Sequence, residues 1–415
     1  MEHEEEAIRV LKPRRAAPAD AVRPTRAEIN LGALRQNLRV LKRALASSPA
    51  AESSPAIWGV LKADAYGHGA PAIARTLERA GVDGICVALL EEGLELRAAG
   101  IEVPVVVMGG YYGPHHRGLE DAIEGDLVPV LYEAGQLERL SHIARDRDRR
   151  VPFQLKVDTN MSRLGCSLSE VDELLESIAS TPELELRGLM SHLACADSAD
   201  PAPTLAQLRL FEDVRARAAS RGLSPSVCHV ANSAGALAFP ASRYQAVRPG
   251  IALYGISPFY GRSTDGLSEE IARISSELRP AMRVRSEIVA LRTLKDGDRV
   301  GYGHTWTASG ERRIATIPMG YADGLSRALS NRGSFLVRGR RAPIAGIVSM
   351  DLTTIDVTDV PGVRLGDEVV VLGSQSSGQE SAVITAEEIA EIVGTIPWEV
   401  ITNISRRVPR FYREP

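Results

Sequence analysis

The chain predicts a TIM-like (β/α)8 barrel followed by a C-terminal mostly-β domain. Three observations carry this expectation. Eight short apolar runs alternate with helical patterns from Ala56 onward, the order of a parallel sheet covered by helices. Past Ser257 the runs become alternating or β-branched, with Gly, Asp and Pro between them. At 415 residues the chain exceeds what one ordinary core accommodates. The expected division is an extension over 1–22, a barrel over 23–265 and a β-rich domain over 266–415.

After Arg23-Pro24, Thr25–Leu31 reads as a strand and Gly32–Ala46 as a helix. The barrel alternation then begins. Ala56–Leu61 is long enough for one buried strand, and a helix follows over Ala70–Ala80. Gly84–Ala88, Val103–Met108 and Leu127–Val130 are the next strands, with helices over Glu91–Ala99, His115–Glu124 and Glu133–Asp146. Phe153–Val157 leads to a helix over Ser167–Ala179, opened by a Ser167/Glu170 capping box. Leu186–Met190 precedes a helix over Pro203–Arg221 with Leu205, Leu208 and Phe211 on one stripe. Val227–Val230, a short helix Ser233–Ala238 and a last strand within Ala246–Tyr254 complete the eight units. An open doubly wound sheet would call for a glycine-rich dinucleotide turn. Gly109-Gly110 is followed by Tyr111-Tyr112 instead.

In the second domain Val284–Leu291, Ile314–Ile317, Phe335–Val337, Ile344–Val348, Thr353–Val357 and Glu368–Leu372 read as strands. One helix runs from a Thr385/Glu388 capping box to Gly394.

Composition narrows the function. The net charge of −4 implies no broad basic surface, which argues against nucleic acid or an anionic membrane as partner. Cys86, Cys166, Cys195 and Cys228 form no CxxC pair, so neither a disulfide framework nor a metal site is expected. Glu2, Glu4, Glu5 and Glu6 stand where a signal peptide carries basic residues. No apolar run approaches the roughly 20 residues that span a bilayer. The expectation is a cytoplasmic protein with a mobile arm over 1–22.

The chemistry collects at the strand ends, where a barrel carries its site. Lys62 follows the first strand and Arg163 lies after the fifth. His192 follows the sixth, Asn232-Ser233 the seventh, and Arg248-Pro249-Gly250-Ile251 lies in the eighth. A lysine at the end of a buried strand is partly desolvated, which favours its neutral amine. Such an amine can form a Schiff base with an aldehyde. Ser233 at a helix start and the amides of Gly250 and Ile251 suit a phosphate, and Gly250 permits close backbone approach. An aldehyde and a phosphate on one compact ring describe pyridoxal 5′-phosphate.

The stretch K-A-D-A-Y-G-H-G, Lys62 to Gly69, resembles the cofactor-lysine signature of alanine racemases. The resemblance recurs at Leu155–Gly165, Ser191–Asp197, Ala231–Ala234 and Val247–Gly255. It continues at Gly301–Gly303, Gly320–Gly324, Ser349–Asp351 and Arg407–Arg410, so it covers about Arg23 to Tyr412. It implies a cofactor-binding barrel followed by a β-domain. It also implies two bases on opposite faces of the substrate, Lys62 and Tyr302, the latter supplied by the partner subunit of a homodimer. His192 and Arg248 match the relay that tunes Tyr302, and Arg248 the arginine on the pyridine nitrogen. The implied cofactor set is Lys62, Tyr66, His192, Asn232, Ser233, Arg248, Gly250, Ile251 and Trp398. Arg163, Met350, Asp351 and Tyr321 match substrate-side positions, with Met350 again from the partner. Lys156 matches a lysine that the family often carbamylates, and His68 a supporting position.

One departure is Pro397-Trp398-Glu399, where the family usually has a tyrosine at the position of Trp398. The expected activity is therefore interconversion of L- and D-alanine for peptidoglycan, with a related serine, lysine or broad-specificity racemase as the alternative. A decarboxylase of similar architecture would leave the substrate carboxylate unclamped and favour an acidic partner for the ring nitrogen. Arg163 and Arg248 argue against it. A non-catalytic cofactor-binding protein would have no use for Tyr302 and Met350-Asp351.

Overall fold

The computed structural model describes residues 22–46, 54–109, 111, 118–261 and 267–414. The N-terminal extension thus lies almost wholly outside the described residues. Two compact units form. One is built on Ile29–Met282 with Thr395–Thr402 and the residues from Tyr412 onward. The other is built on Arg283–Gly394 with Asn403–Phe411 and the described residues up to Glu28.

The first unit is a nearly closed barrel of eight parallel strands, the predicted fold class. They are β1 (Ala56–Val60), β2 (Gly84–Val87), β3 (Val105–Val107), β4 (Val128–Leu131), β5 (Val151–Lys156), β6 (Leu184–Met190), β7 (Val227–His229) and β8 (Ala246–Val247). Each of β1 to β6 pairs in parallel with the next. β8 pairs back onto β1, with Ala56 opposite Ala246 and Ile57 opposite Val247. Between β7 and β8, bonds from Gln245 N to the Cys228 carbonyl (3.2 Å) and from Arg248 N to the Ala231 carbonyl (2.9 Å) stand in for a ladder. β2 and β3 are buried along their whole length, as strands covered on both faces must be. The helix Leu31–Ala46 buries Leu34, Leu38, Leu41 and Leu45, one face at helical spacing.

Several boundaries differ from expectation for local reasons. β8 is only two residues long, and Ile251–Tyr254 forms a 3-10 turn rather than more strand. Pro249 has no N–H to offer a ladder, so the strand stops before it. Ser167 and Glu170 exchange both bonds of the capping box, yet the regular helix starts later, at Val171. Of the helix expected over His115–Glu124, Leu119–Glu124 is helical and 112–117 lie outside the described residues. On the helix Ala202–Ser220, Leu205 is exposed. The buried face runs through Thr204, Gln207, Leu208 and Phe211 instead.

The second unit is β-rich. Its main sheet has seven strands, in the order Arg340–Pro343, Ser334–Val337, Glu368–Ser377, Met282–Glu287, Arg26–Asn30, Arg410–Arg413, with Glu380–Ile384 pairing on Glu368–Ser377. Ala290–Leu294, Arg312–Ile317 and Thr353–Asp356 form a separate antiparallel sheet. The predicted run Val284–Leu291 therefore divides between two sheets. The strand expected over Ile344–Val348 sits earlier, at Arg340–Pro343. A hairpin of Arg299–Val300 and Trp306–Thr307 was not visible as a pattern. The helix Ala386–Val393 is capped by Thr385 and ends at Gly394 in the left-handed region. The reciprocal half of its capping box is absent, because the Glu388 carboxylate pairs with Arg341 at 2.8 Å. No helix among the described residues is long and apolar enough to cross a membrane.

Candidate active site

The parallel closure of the barrel puts the ends of β1, β5, β6, β7 and β8 on one rim. After β1 the backbone reverses hand. Ala63, Asp64, Ala65 and Tyr66 have φ of 51°, 58°, 54° and 52°, a turn of left-handed helix without a glycine. Each such residue costs about 1–2 kcal/mol. Side chains hold the turn in place. Glu92 Oε1 accepts from Ala63 N at 2.6 Å, and Asp64 Oδ1 accepts from Ala70 N at 2.8 Å. His68 Nδ1 faces the carbonyls of Ala65 and Tyr66 at 3.0 and 2.9 Å, so this nitrogen carries the proton. Gly67 closes the turn at φ 80°, and a Cβ there would lie 2.6 Å from the Ile401 carbonyl. The helix Pro397–Thr402, which carries the half-buried Trp398, thus packs against this turn.

Lys62 opens the turn and is half-buried. Burial first, then the charge of Arg163, pushes its ammonium below the usual lysine range, while Glu92 pulls the other way. Lys156, the last residue of β5, is buried. Burial, Arg248 and Arg163 bring it down to about 8, with Lys62 adding to the effect and Asp158 opposing it. Arg163 is exposed on the loop after β5. Four cationic side chains from four segments therefore feel one another on one rim. Such a field favours ligands with carboxylate or phosphate groups.

Arg248 is the buried centre of the cluster. Nη1 donates to the His229 carbonyl at 2.9 Å and to His229 Nδ1. Nη2 donates to the carbonyls of Ser191 at 2.7 Å and Val230 at 3.3 Å, and to His192 Nδ1 at 3.3 Å. Burial lowers its pKa to about 10, still cationic at neutral pH. A guanidinium only donates, so both histidines present a bare Nδ1 and carry their proton on Nε2. In His192 burial, Arg248 and Arg163 hold the protonated form well below the ordinary range, so its ring is neutral at pH 7. Nε of Arg248 makes no hydrogen bond to any described residue.

Across the rim, Ser233 Oγ accepts from Gly250 N at 2.9 Å and from Ala252 N at 3.4 Å. Asn232 caps the helix Ser233–Ala238, its Oδ1 accepting from Gly235 N at 2.9 Å. Ile251 begins the following 3-10 turn. A Cβ on Gly250 would lie 2.4 Å from Tyr66 Oη, so the glycine lets the buried Tyr66 hydroxyl reach this backbone. Tyr66 and His68 both stack on Tyr254, at 4.8 and 4.6 Å, and the Tyr254 hydroxyl donates to the Val60 carbonyl at 2.9 Å. Lys62, Tyr66, Lys156, Arg163, His192, Asn232, Ser233, Arg248, Gly250 and Ile251 thus gather on the rim of the barrel unit.

The remaining predicted residues lie in the β-rich unit. Tyr302 is 72 % exposed at the tip of the Arg299–Thr307 hairpin, between Gly301 (φ 70°) and Gly303 (φ 67°). Val300 and Trp306 pack on Ile314 and Ala345 below it. Tyr321 and Met350 are exposed on two loops held together. The Tyr321 amide donates to the Ser349 carbonyl at 2.9 Å and the Ala322 amide to the Met350 carbonyl at 3.0 Å. Asp351 pairs with Arg407 at 2.7 Å, and Arg407 lies near the fully buried Asp323, which Arg23 holds with two bonds.

Sequence reasoning missed Glu92, His229 and the left-handed turn. Glu92 had a local signal, three residues after Leu89 at a helix start. His229 and the turn had none, since each depends on neighbours distant in sequence. Among the described residues no group of His, Cys, Asp and Glu is arranged to hold a metal.

Residues 29–258 match the family model "alanine racemase, N-terminal domain", and residues 281–412 match the corresponding C-terminal domain. An alanine racemase of Sorangium cellulosum is 61 % identical over 395 residues, covering 95 % of this chain and all of the relative. The solved alanine racemase of a D-cycloserine-producing Streptomyces lavendulae superposes with a TM-score of 0.85 at 34 % identity, over 95 % of this chain and 98 % of that one. That of Bartonella henselae, solved with covalently bound pyridoxal phosphate, gives a TM-score of 0.80 at 29 % identity, over 94 % and 99 %. With both domains matched in order over nearly its whole length, the chain belongs to the alanine racemase family, whose enzymes are isomerases.

Proposed function

We propose that the chain binds pyridoxal 5′-phosphate on the barrel rim and interconverts L- and D-alanine with two bases. The observation that carries the reading is the set of groups around Arg248. Its Nη atoms are occupied by protein acceptors, which leaves Nε as the donor suited to a ring nitrogen. Two further features fit the same group. The Gly250 cradle against Tyr66 and Ser233 suits a phosphate. Lys62 has an amine biased toward its neutral form, as an aldehyde partner requires. When bound, the cofactor would acidify the substrate α-carbon by withdrawing electrons from it.

The protein's own groups do the rest. Arg163 binds the substrate carboxylate through its guanidinium, and the amide of Met350 from the partner subunit assists. Tyr321 and Asp351 line the approach. Lys62 takes or gives the α-proton on one face, and Tyr302 of the partner subunit acts on the other. His192, neutral and protonated on Nε2, can donate to the Tyr302 oxygen and stabilise its anionic form. A homodimer with two shared sites follows from that division of labour, and cytoplasmic supply of D-alanine for peptidoglycan follows from the family resemblance.

A related amino-acid racemase is the second reading. Trp398 favours it, because a bulky indole on the helix packed against the Lys62 turn changes the space available near the substrate side chain. One experiment tests both. Purified protein loaded with the cofactor is assayed for chirality of product from L-alanine, L-serine, L-lysine and L-arginine, beside Lys62→Ala. D-Alanine as the main product, with loss of visible cofactor absorbance in Lys62→Ala, supports the first reading. Faster turnover of another substrate favours the second, and an unchanged spectrum in Lys62→Ala removes the cofactor assignment.

A further inference from the structure

Behind the rim runs a buried polar chain with no role in the scheme above. Gln207 takes a buried position on the helix Ala202–Ser220, where the stripe of apolar residues would call for a hydrophobe. Its Oε1 accepts from Ala194 N at 2.8 Å. Its Nε2 donates to the His192 carbonyl at 3.0 Å and to Thr159 Oγ1 at 3.3 Å. Thr159 Oγ1 lies 2.7 Å from Ser191 Oγ, and Ser191 Oγ donates to the Val157 carbonyl at 2.8 Å. Thr159, Ser191 and Gln207 are all buried.

The polarity of this chain is fixed by its ends. The Ala194 amide only donates, so it orients the Gln207 side chain with Nε2 toward Thr159. An amide nitrogen cannot accept, so Thr159 Oγ1 accepts from Gln207. The Val157 carbonyl only accepts, so the Ser191 proton is committed to it. Ser191 Oγ must then accept from Thr159. Only one arrangement satisfies every link: Gln207 to Thr159 to Ser191 to Val157. A buried network that is fully satisfied holds its members rigidly.

What the chain joins gives it meaning. Thr159 stands at the base of the loop that carries Arg163. That loop is internally stiff, because Asp158 Oδ1 accepts from Met161 N at 2.8 Å and Ser162 N at 3.1 Å. At its far end Cys166 and Lys156 are joined by a bond from Cys166 N to the Lys156 carbonyl, 2.9 Å. Fixing Thr159 therefore fixes the path to Arg163. Ser191 precedes His192, and its carbonyl accepts from Arg248 at 2.7 Å. We infer that Gln207 and Thr159 are positioning residues that set the Arg163 loop against the His192–Arg248 cluster, and so govern how tightly the amino-acid carboxylate is held. The inference rests on the reading of Arg163 as the carboxylate ligand.

The test measures KM and kcat for L-alanine on cofactor-loaded enzyme for Thr159→Val, Thr159→Ser, Gln207→Glu and Arg163→Lys. Thr159→Val removes the hydroxyl at constant shape, and Thr159→Ser restores it. Gln207→Glu places an acceptor where Thr159 and the His192 carbonyl need a donor. Thr159→Val and Gln207→Glu are expected to raise KM about tenfold with kcat changed less than about twofold, the scale of a misplaced but intact binding group. Thr159→Ser is expected to stay near the parent enzyme, and the visible cofactor absorbance to stay unchanged throughout. If Thr159→Val does not accumulate folded, Ser191→Ala, which removes the last two links and leaves the Thr159 hydroxyl without its acceptor, carries the same expectation. An unchanged KM in these variants beside a raised KM in Arg163→Lys overturns the inference. So does a parallel fall in kcat and cofactor absorbance that Thr159→Ser fails to rescue. An unchanged KM in Arg163→Lys overturns the carboxylate reading itself.

Discussion

Arg248 donates from Nη1 both to the backbone carbonyl of His229, at 2.9 Å, and to the bare Nδ1 of the same residue. The proton of that imidazole therefore sits on Nε2 and faces Gln154 Oε1 at 2.8 Å. Trp58 closes the site with an edge contact 4.9 Å away. Burial first, and the Arg248 charge second, hold protonation of His229 well below the usual histidine range. In the unfolded chain it would protonate near its ordinary pKa of about 6.5. Below that pH the unfolded state binds a proton that the folded state refuses, so this site makes stability rise with pH up to about 6.5 and adds no slope above it. His229→Gln should flatten the pH dependence of the unfolding free energy, read by urea titration, in the acid range by up to about 1.4 kcal/mol per pH unit. An identical slope in parent and variant would show that His229 protonates alike in both states.

The left-handed turn after β1 restricts which side chains its positions accept. Ala63 is exposed at φ 51° and ψ 49°, so its cost is conformational rather than a matter of packing. A β-branched residue fits that region worse than alanine does. Ala63→Val should lower unfolding stability by roughly 1–2 kcal/mol and disturb the adjoining Lys62. Ala63→Gly relieves strain of about 1–2 kcal/mol but loosens the unfolded chain by about 0.4–1 kcal/mol, so it should be neutral or slightly stabilising. Denaturant titration of both variants checks the pair, and a stabilised valine variant would mean the turn is not left-handed.

Gly250 is constrained by space alone, since its φ is −109°. An added methyl group would meet Tyr66 Oη at 2.4 Å, and Tyr66 is backed by the Tyr254 ring. Gly250→Ala should therefore cost about 1–3 kcal/mol of stability and weaken cofactor retention, because the Tyr66 hydroxyl must leave the cradle. Dialysis followed by the visible spectrum reads the second effect. Parent-like retention would mean that the Tyr66 hydroxyl has no part in holding the phosphate.

The barrel was legible because its signal is local: a buried parallel strand is a short apolar run, and each helix shows one apolar face. Lys62, Arg163, His192, Ser233 and Arg248 could be placed on one rim for the same reason, since parallel closure sends every strand end to the same side. The reversal of hand at Ala63–Tyr66 was invisible, because nothing in K-A-D-A-Y marks positive φ when no glycine is present. It depends on Glu92 and Asp64, which supply acceptors for Ala63 N and Ala70 N. Gln207 was hidden by the same limit. Its neighbours Leu205 and Leu208 set the apparent stripe, and only the fold reveals that Leu205 faces out and Gln207 in. The division of Val284–Leu291 between two sheets also escaped, as one continuous β pattern does not say where a strand changes partners.

Tyr302 stands on a hairpin tip, exposed, with a packed apolar base beneath it. Its removal from that tip should leave folding untouched. Tyr302→Phe deletes one hydroxyl at a solvent-facing position, so the unfolding midpoint should stay within about 0.5 kcal/mol of the parent. With Tyr302 as the proposed second base, its loss should lower turnover of alanine by about 10²–10⁴-fold. Under the proposed two-base scheme the two directions of racemisation use the bases in opposite order, so isotope exchange of the α-proton should persist through Lys62 only in the enantiomer whose α-proton faces it, while inversion is lost. Full racemisation in the variant would remove Tyr302 from the reaction.

Lys156 carries the last prediction. Burial first, then repulsion of its ammonium by Arg248 and Arg163, brings it down to about 8. A sizeable neutral fraction is then present near pH 8, which an ordinary lysine lacks. Neutral Nζ can add to the carbon of CO2, releasing one proton and forming an N–C bond to a carbamate anion. That anion reverses the sign of the side chain, turning repulsion of Arg163 into attraction and orienting it for a carboxylate. KM for alanine should therefore fall when bicarbonate is added to enzyme prepared free of CO2, with the larger effect near pH 8 than near pH 6, where the amine is protonated. Lys156→Ala should lose the bicarbonate response, and a small carboxylate such as acetate should restore part of the affinity. A parent enzyme indifferent to bicarbonate at both pH values, with the lysine unmodified by mass, would leave Lys156 as a cation that opposes Arg163.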